Sequence, residues 1–146
     1  MKISTKGRYA VRILADIALH ETGGFIAMKD VARRQQISKK YADQIGSQLT
    51  QAGILIGVRG HQGGYKLNRA PEQLTVLEIL QVMEGSIAPV ACMEGDPNRC
   101  SRCQFCLSLP VWQGLEKVMR EYLGSITLQD ILDRGGPQPD FSDMLE

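Results

Sequence analysis

The sequence lacks several features that would assign it to a large class of proteins. It has no apolar run of about 18 residues, the length that a membrane-spanning helix needs. Its N-terminus is basic and then apolar, but Arg12 and Asp16 interrupt the apolar stretch, which excludes a secretory signal peptide. It contains only two histidines, His20 and His61, and no Ser/His/Asp or Cys/His arrangement of the kind that catalysis requires. These absences predict a cytoplasmic, non-enzymatic protein with no membrane partner.

The charge of the chain is distributed unevenly along its length. The net charge is only +1 over 146 residues. Residues 1–70 contain 12 lysines and arginines against four acidic residues, whereas residues 71–146 contain five against 12. A basic half of this kind is typical of a module that binds a polyanion such as DNA. The alternative is a chance excess of charge on a solvated face.

All four cysteines lie within one short stretch, at Cys92, Cys100, Cys103 and Cys106, with the spacing C-x7-C-x2-C-x2-C. Thiolates are soft ligands that select zinc, copper(I) or iron–sulfur clusters. Structural zinc sites usually use two separated C-x2-C pairs, whereas the run C-x2-C-x2-C is the pattern of bacterial ferredoxins. The stretch therefore predicts an iron–sulfur site on a loop; zinc, a disulfide or unliganded thiols are the alternatives.

The basic half has the pattern of three helices, at residues 4–21, 28–35 and 38–52. Ser38 is a good N-cap for the third helix, whose buried stripe is Tyr41, Ile45 and Leu49. The opposite face carries side chains that can donate to phosphates or read base edges, or that are merely solvated. These are Lys39, Lys40, Asp43, Gln44, Ser47, Gln48 and Gln51.

A β-hairpin is predicted directly after the third helix. Residues 55–58 and 65–67 have strand character, and the glycine-rich turn between them carries Arg59, Gly60 and His61 at its tip. Three helices followed by a hairpin form a winged helix-turn-helix, whose third helix enters the major groove and whose wing reaches the minor groove. The predicted partner is double-stranded promoter DNA. The predicted DNA-binding residues are Ser38, Lys39, Lys40, Tyr41, Asp43, Gln44, Arg59, Gly60 and His61.

The acidic half contains the pattern of a further long helix. Ser108 can cap it, Pro110 is tolerated in its first turn, and Gly124 ends it. It carries an apolar band wider than one small domain needs, which predicts a helix–helix dimer seam; an ordinary core-facing helix is the alternative. The predicted seam consists of Val111, Trp112, Leu115, Val118, Met119 and Tyr122.

Three motifs together resemble one known family. They are the opening Ser4–Val11, the wing with Arg59-Gly60 and Gly63-Gly-Tyr65, and Cys106 followed by Trp112 and Ile126-Thr-Leu128. With these motifs, residues 2–134 resemble the IscR/NsrR family of bacterial winged-helix transcriptional regulators, mostly dimeric, many of which hold an iron–sulfur cluster.

The resemblance implies that Cys92, Cys100 and Cys106 are cluster ligands, with a fourth ligand that varies within the family. This chain departs from the pattern by having the extra Cys103, Leu109 where some members have a histidine, and Arg8 where others have an acidic ligand. Cys103 is the candidate fourth ligand because it is already local. The resemblance leaves both [2Fe-2S] and [4Fe-4S] open.

The expected fold is mainly α with a small β-hairpin. It comprises a winged helix-turn-helix domain at 1–83, a cluster-binding loop at 84–107, a dimerisation helix with a short following helix at 108–134, and a mobile tail at 135–146. The expected function is that of a homodimeric regulator whose promoter binding responds to an iron–sulfur cluster and thereby to redox state, nitric oxide or iron status. The alternatives are a cofactor-free or zinc-stabilised winged-helix repressor and, further off, an electron-transfer protein.

Overall fold

The computed structural model describes residues 2–95, 97–98 and 100–133. Within these residues the chain forms six α-helices and one two-stranded antiparallel sheet, so the mainly α fold with a small hairpin is confirmed. The predicted mobile tail at 135–146 lies outside the described residues. The elements are α1 (Thr5–His20), α2 (Met28–Gln35), α3 (Lys39–Gln51), β1 (Leu55–Val58), β2 (Gly64–Leu67), α4 (Val76–Glu84), α5 (Leu109–Ser125) and α6 (Leu128–Leu132).

The first three helices begin and end where local chemistry dictates. The Ser4 hydroxyl accepts from the Gly7 amide at 3.0 Å and caps α1, and the Ser38 hydroxyl accepts from the Tyr41 amide at 3.1 Å and caps α3, as predicted. Between α2 and α3, Gln36 adopts the left-handed conformation with φ of 56°, which reverses the chain. These caps and this turn produce the helix-turn-helix.

The core is formed by apolar residues of α1 and of the helices and strands packed around it. Ile13, Leu14 and Ile17 of α1 are completely buried. They belong to one apolar cluster that also contains Ile45 and Leu49 of α3. Burying such side chains contributes roughly 1.5–3 kcal/mol each. The apolar stripe predicted for α3 is therefore the face that holds it in the domain.

The wing is a short hairpin that also pairs with the segment before α2. Leu55 pairs with Leu67 at its base and Val58 pairs with Gly64 near its tip. Ile26 and Tyr65 exchange two backbone hydrogen bonds, each of 2.8 Å. The segment before α2 therefore forms a single antiparallel bridge to β2. The wing is thus tied to the helices at its base, while its tip remains exposed.

The end of the chain returns to the helix-turn-helix domain after α5. The Val76 amide donates to the Ile126 carbonyl at 2.9 Å, and the Leu128 amide donates to the Leu74 carbonyl at 2.8 Å. Leu128 is completely buried in the core cluster that α1 provides. Part of the predicted segment 108–134 therefore completes the core of the DNA-binding half.

Candidate nucleic-acid interface and cysteine loop

The exposed face of α3 is polar and begins with two cations. Lys39 and Lys40 occupy the first turn, which contains no acidic residue. The positive end of the helix dipole lies at the same place, so this end of α3 attracts phosphate. Gln48 was predicted to lie on this exposed face. Its side-chain oxygen is instead buried, without a hydrogen-bond partner among the described residues. The exposed members of this face are Lys39, Lys40, Gln44, Ser47 and Gln51.

Two of the predicted DNA-binding side chains on α3 bind one another. The Lys39 ammonium donates to the Asp43 carboxylate at 2.7 Å, and this hydrogen bond raises the pKa of Lys39 above its ordinary value. Lys40 forms no ion pair within the described part of the chain. Lys40 therefore presents its charge to solvent, whereas the charge of Lys39 is partly neutralised.

Tyr41 has a structural contact besides its predicted role. Its ring packs edge-to-face on the ring of Tyr9, with centroids 5.8 Å apart, and its side chain is half-buried. An aromatic pair of this geometry contributes about 0.5–1.5 kcal/mol. The contact holds the first turn of α3 against α1.

The wing presents Arg59, Gly60 and His61 at its exposed tip. Gly60 has φ of +113°, a conformation that side-chain-bearing residues rarely adopt, so glycine is needed for this turn. Its carbonyl accepts from the Gly63 amide at 3.1 Å, which closes the turn. A narrow tip with an exposed arginine has the shape and charge required for insertion into a minor groove.

A buried ion pair that the sequence did not predict fixes α2 against α1. The carboxylate of Asp16 is buried and accepts from Arg34 and from the Gln35 side chain at 2.8 Å. Burial tends to raise the pKa of Asp16, but the hydrogen bonds from Arg34 and Gln35 and the charge of Arg34 outweigh it and lower that pKa. The available signal was an acid placed between Leu14 and Ile17 in an apolar helix.

The four cysteines lie on an irregular segment between α4 and α5, as predicted, and all four are free. Cys92 is exposed, and the other three are partly exposed. The Cys100 amide donates to the side chain of Asn98 at 2.9 Å, and the Cys103 amide donates to the Cys100 carbonyl at 3.1 Å. Tight turns of this type let closely spaced thiols face one ligand.

Cys106 has a distinct environment. Its sulfur lies 3.3 Å from the hydroxyl of Ser108, and hydrogen bonding from Ser108 lowers the pKa of the thiol. The Ser108 hydroxyl makes no capping hydrogen bond to α5, so the predicted capping role of this residue is wrong. Ser108 instead favours the thiolate form of Cys106, which is the form that binds metal.

The donor set suits an iron–sulfur cluster in its chemistry. The loop offers four soft sulfur donors with no disulfide among them, and each is at least partly accessible. Across residues 2–95, 97–98 and 100–133, no three side chains of His, Cys, Asp or Glu already converge as a metal site.

The cysteine loop borders both neighbouring helices. A polar cleft of about 450 Å³ lies between the end of α4, the loop and the middle of α5. Gly85 and Glu94 line one side of it, and Glu116 and Arg120, which form an ion pair of 2.9 Å, line the other. A change in the shape of the loop would therefore reach both α4 and α5.

The apolar band on α5 is largely uncovered in the single chain. Val111 and Val118 are each 61% exposed and Tyr122 is 43% exposed, while Trp112, Leu115 and Met119 are partly buried. No residue of α5 is fully buried within the described structure. In the same part of the chain, no helix is long and apolar enough to cross a membrane.

Comparison with known proteins places this architecture. Residues 3–134 match the profile of the family Rrf2, described as "Iron-dependent Transcriptional regulator". The protein rrf2 of Nitratidesulfovibrio vulgaris is 36% identical over 132 residues, which cover 90% of this chain and 87% of the relative.

Two solved structures share both the fold and the sequence pattern. T. potens IscR is 35% identical with a TM-score of 0.73, and the match covers all of this chain and 97% of that one. The global cysteine regulator CymR of B. subtilis is 32% identical with a TM-score of 0.70, covering 92% of this chain and 98% of that one. The winged-helix architecture and the resemblance found from the sequence motifs are thereby confirmed.

Proposed function

Because the chain belongs to the Rrf2 family of transcriptional regulators, we propose that it binds promoter DNA as a homodimer and that an iron–sulfur cluster on its cysteine loop controls this binding. Family membership also makes the chain a regulator rather than an enzyme, as its sequence predicted. The signal would be redox state, nitric oxide or iron status. The cytoplasm is the proposed location.

The observation that carries the DNA-binding proposal is the placement of two exposed basic elements beside one another. The first turn of α3 carries Lys39 and Lys40, and the wing carries Arg59. One cleft is lined both by Ser47 and Gln51 of α3 and by Arg59 of the wing, so the two elements are neighbours. This arrangement suits a helix in the major groove and an arginine in the adjacent minor groove.

The cysteines would hold the cluster. Cys92, Cys100 and Cys106 are the proposed ligands, and Cys103 is the proposed fourth. When bound, the cluster would supply a group that oxidants or nitric oxide can destroy and that iron shortage prevents from forming. Closing the loop around it would fix a segment that borders both α4 and α5.

The contacts of Glu84 give a physical route from this loop to the DNA-binding half. Glu84 ends α4, shortly before the cysteine loop. Its carboxylate accepts from the Ser4 amide at 2.9 Å and from the Ser4 hydroxyl at 2.8 Å, at the start of α1. Gly7 allows this approach, since a Cβ there would overlap the Glu84 carboxylate. A ligand can shift DNA affinity only by favouring one arrangement of such joints over another.

The uncovered band of α5 supports the dimer. Val111 and Val118 present apolar surface on one helix, and a second copy related by two-fold symmetry offers the same surface in return. A dimer would place two α3 helices on successive turns of one DNA face. The two cysteine loops, which precede α5, would then lie beside the interface they are proposed to influence.

One experiment tests the cluster and its role together. Protein purified without oxygen should be brown, should contain iron and acid-labile sulfide, and should bind a selected DNA site with an affinity that changes when the cluster is removed. A colourless protein with one zinc per chain would establish the zinc-stabilised alternative, and metal-free protein with full DNA affinity would establish the cofactor-free one. Unchanged affinity after loss of the colour would contradict cluster control.

A further inference from the structure

The ring of Tyr65 fills the space between α3 and the wing. A Cβ placed on Gly46 of α3 would lie 3.1 Å from the Tyr65 Cζ, and one on Gly57 of β1 would lie 3.2 Å from its Cε1. Contacts this short are tighter than side chains normally tolerate. Both neighbouring positions are glycines, so the ring edge that carries Cε1 lies directly against the recognition helix and against β1.

The main chain of Tyr65 is held by two hydrogen bonds to Ile26. Its amide donates to the Ile26 carbonyl and its carbonyl accepts from the Ile26 amide, each at 2.8 Å. Gly64, just before it, has no room for a Cβ because the Ile26 carbonyl occupies that space. The backbone of Tyr65 is therefore anchored to the segment before α2, while its ring packs against α3 and β1.

The ring lies at the centre of the candidate DNA interface. A cleft of about 230 Å³ between α3 and the wing is lined by Ser47 and Gln51 on one side and Arg59 on the other, with Tyr65 as part of its wall. Burial raises the pKa of Tyr65, and its charged neighbours are Asp43, Lys39 and Arg59. The hydroxyl therefore remains protonated and neutral at physiological pH.

We propose that Tyr65 is a positioning residue that sets the separation of the wing from α3, and so decides whether Arg59 can reach its groove while α3 occupies the neighbouring one. This inference rests on the proposed DNA-binding function. The major and minor grooves of B-DNA are about 12 and 6 Å wide. Two protein elements that occupy adjacent grooves must therefore keep a fixed distance from each other. Without the ring, the separation of the wing tip from α3 would vary, so part of the binding free energy of the Arg59 contact would be lost in fixing it.

The test is a double-mutant cycle between Tyr65 and Arg59, measured on the full chain with a DNA site selected by the wild-type protein. Tyr65→Leu should weaken specific binding about tenfold, comparable to the loss of one groove contact. In the Tyr65→Leu background, Arg59→Ala should produce no further loss, although it weakens the wild type. Hydroxyl-radical footprints should lose protection at the wing position and keep it at the α3 position. A merely destabilised domain would lose both protections together.

Three further variants control the experiment. Tyr65→Phe keeps the ring and should bind like the wild type within about twofold. Phe25→Leu removes a ring whose centroid lies 5.0 Å from the Lys66 Nζ, and should leave the footprint unchanged. If Tyr65→Leu does not fold, Gly57→Ala provides the same test, because its new methyl group would displace the ring from the wing side.

The proposal would be overturned if Arg59→Ala weakened binding equally in both backgrounds, or if Tyr65→Phe were as weak as Tyr65→Leu. The first result would show that the wing acts independently of the ring, and the second that the hydroxyl and not the spacing matters. Absence of any specific footprint with the wild-type protein would instead contradict the proposed DNA-binding function.

Discussion

Arg34 on α2 donates to both carboxylate oxygens of Asp16 on α1, with its Nε 3.1 Å from each oxygen and its Nη2 2.6 Å from Oδ1. The Asp16 side chain is only 2% exposed. Arg34→Ala would remove the cation from a buried carboxylate to which Gln35 still donates, and should lower the free energy of unfolding by about 3 kcal/mol. Chemical denaturation measures this loss. Arg33→Ala is the matched control, because Arg33 forms only an exposed pair with Asp30 and should change stability by less than about 1 kcal/mol.

The same pair predicts how stability depends on acid. The pKa of Asp16 is lowered in the folded protein from its ordinary value of 3.8, so the unfolded chain binds the proton more tightly. The contribution of the pair is complete above that value and is lost as pH falls through the lower folded pKa. The stability of Asp16→Asn should therefore fall less steeply than that of the wild type below about pH 4. Parallel curves in denaturation experiments across this range would contradict the assignment.

Two cations in the DNA-binding half should affect binding differently. Arg59→Ala should cost about 1–3 kcal/mol of specific binding if the wing arginine reads a narrow groove. Lys40→Ala should weaken binding to all sequences and reduce the salt slope by about one, because Lys40 is exposed and is proposed to contact phosphate. Lys117→Ala, on α5 and outside the basic half, serves as the control. Equal effects of all three variants would contradict this placement of the DNA-binding surface.

Asp43 should act as a filter on sequence. Its carboxylate repels phosphate and can only accept hydrogen bonds, for example from a cytosine amino group. The same carboxylate lies 2.7 Å from the Lys39 ammonium and partly neutralises its charge. Asp43→Ala should therefore raise the salt slope and relax preference at one symmetric pair of positions. Selection from a random DNA pool, with and without the cluster, measures both. Identical preferences for mutant and wild type would leave Asp43 as an ion-pair partner only.

The apolar band of α5 should hold the dimer together. Val118→Glu would place a charge in the middle of the proposed seam, and sedimentation should then show monomers that bind a single half-site weakly. Gln113→Glu adds the same charge at an exposed polar position of the same helix and should leave the dimer intact. Persistence of a Val118→Glu dimer would refute this placement of the seam.

The cysteines are predicted to differ in their importance. Cys92→Ala, Cys100→Ala and Cys106→Ala should each abolish the brown colour of anaerobically isolated protein. Cys103→Ala should shift the absorption spectrum or abolish it if this thiol is the fourth ligand. A wild-type spectrum for Cys103→Ala would assign the fourth position to another residue.

The sequence predicted the elements whose causes are local. The apolar stripe of α3, the cap at Ser38 and the glycine-rich wing tip each depend on residues a few positions apart, and each is found in the structure. The contacts that the sequence did not reveal join distant positions. Nothing local distinguishes the pairing of Ser4 with Glu84, because its partners lie 80 residues apart.

In the candidate site, too, the sequence predicted features with local causes and missed those that depend on packing. The charge of Lys39 and Lys40 could be read from the chain, but the ion pair of Lys39 with Asp43 and the inward turn of Gln48 depend on side-chain packing. Likewise, Gly46 and Gly57 are separate features of the sequence, and only the folded chain shows that the ring of Tyr65 lies against both.

The return of the chain from α5 to the core has a consequence for synthesis. Leu128 is completely buried among residues of α1, and its amide bonds to Leu74, so the DNA-binding half has no complete core until this residue is available. A ribosome makes the helix-turn-helix first and the cysteine loop next, and Leu128 follows both. The thiols of a nascent chain are therefore made before its DNA-binding unit can finish folding, so the proposed cluster would have time to insert before the first encounter with a promoter.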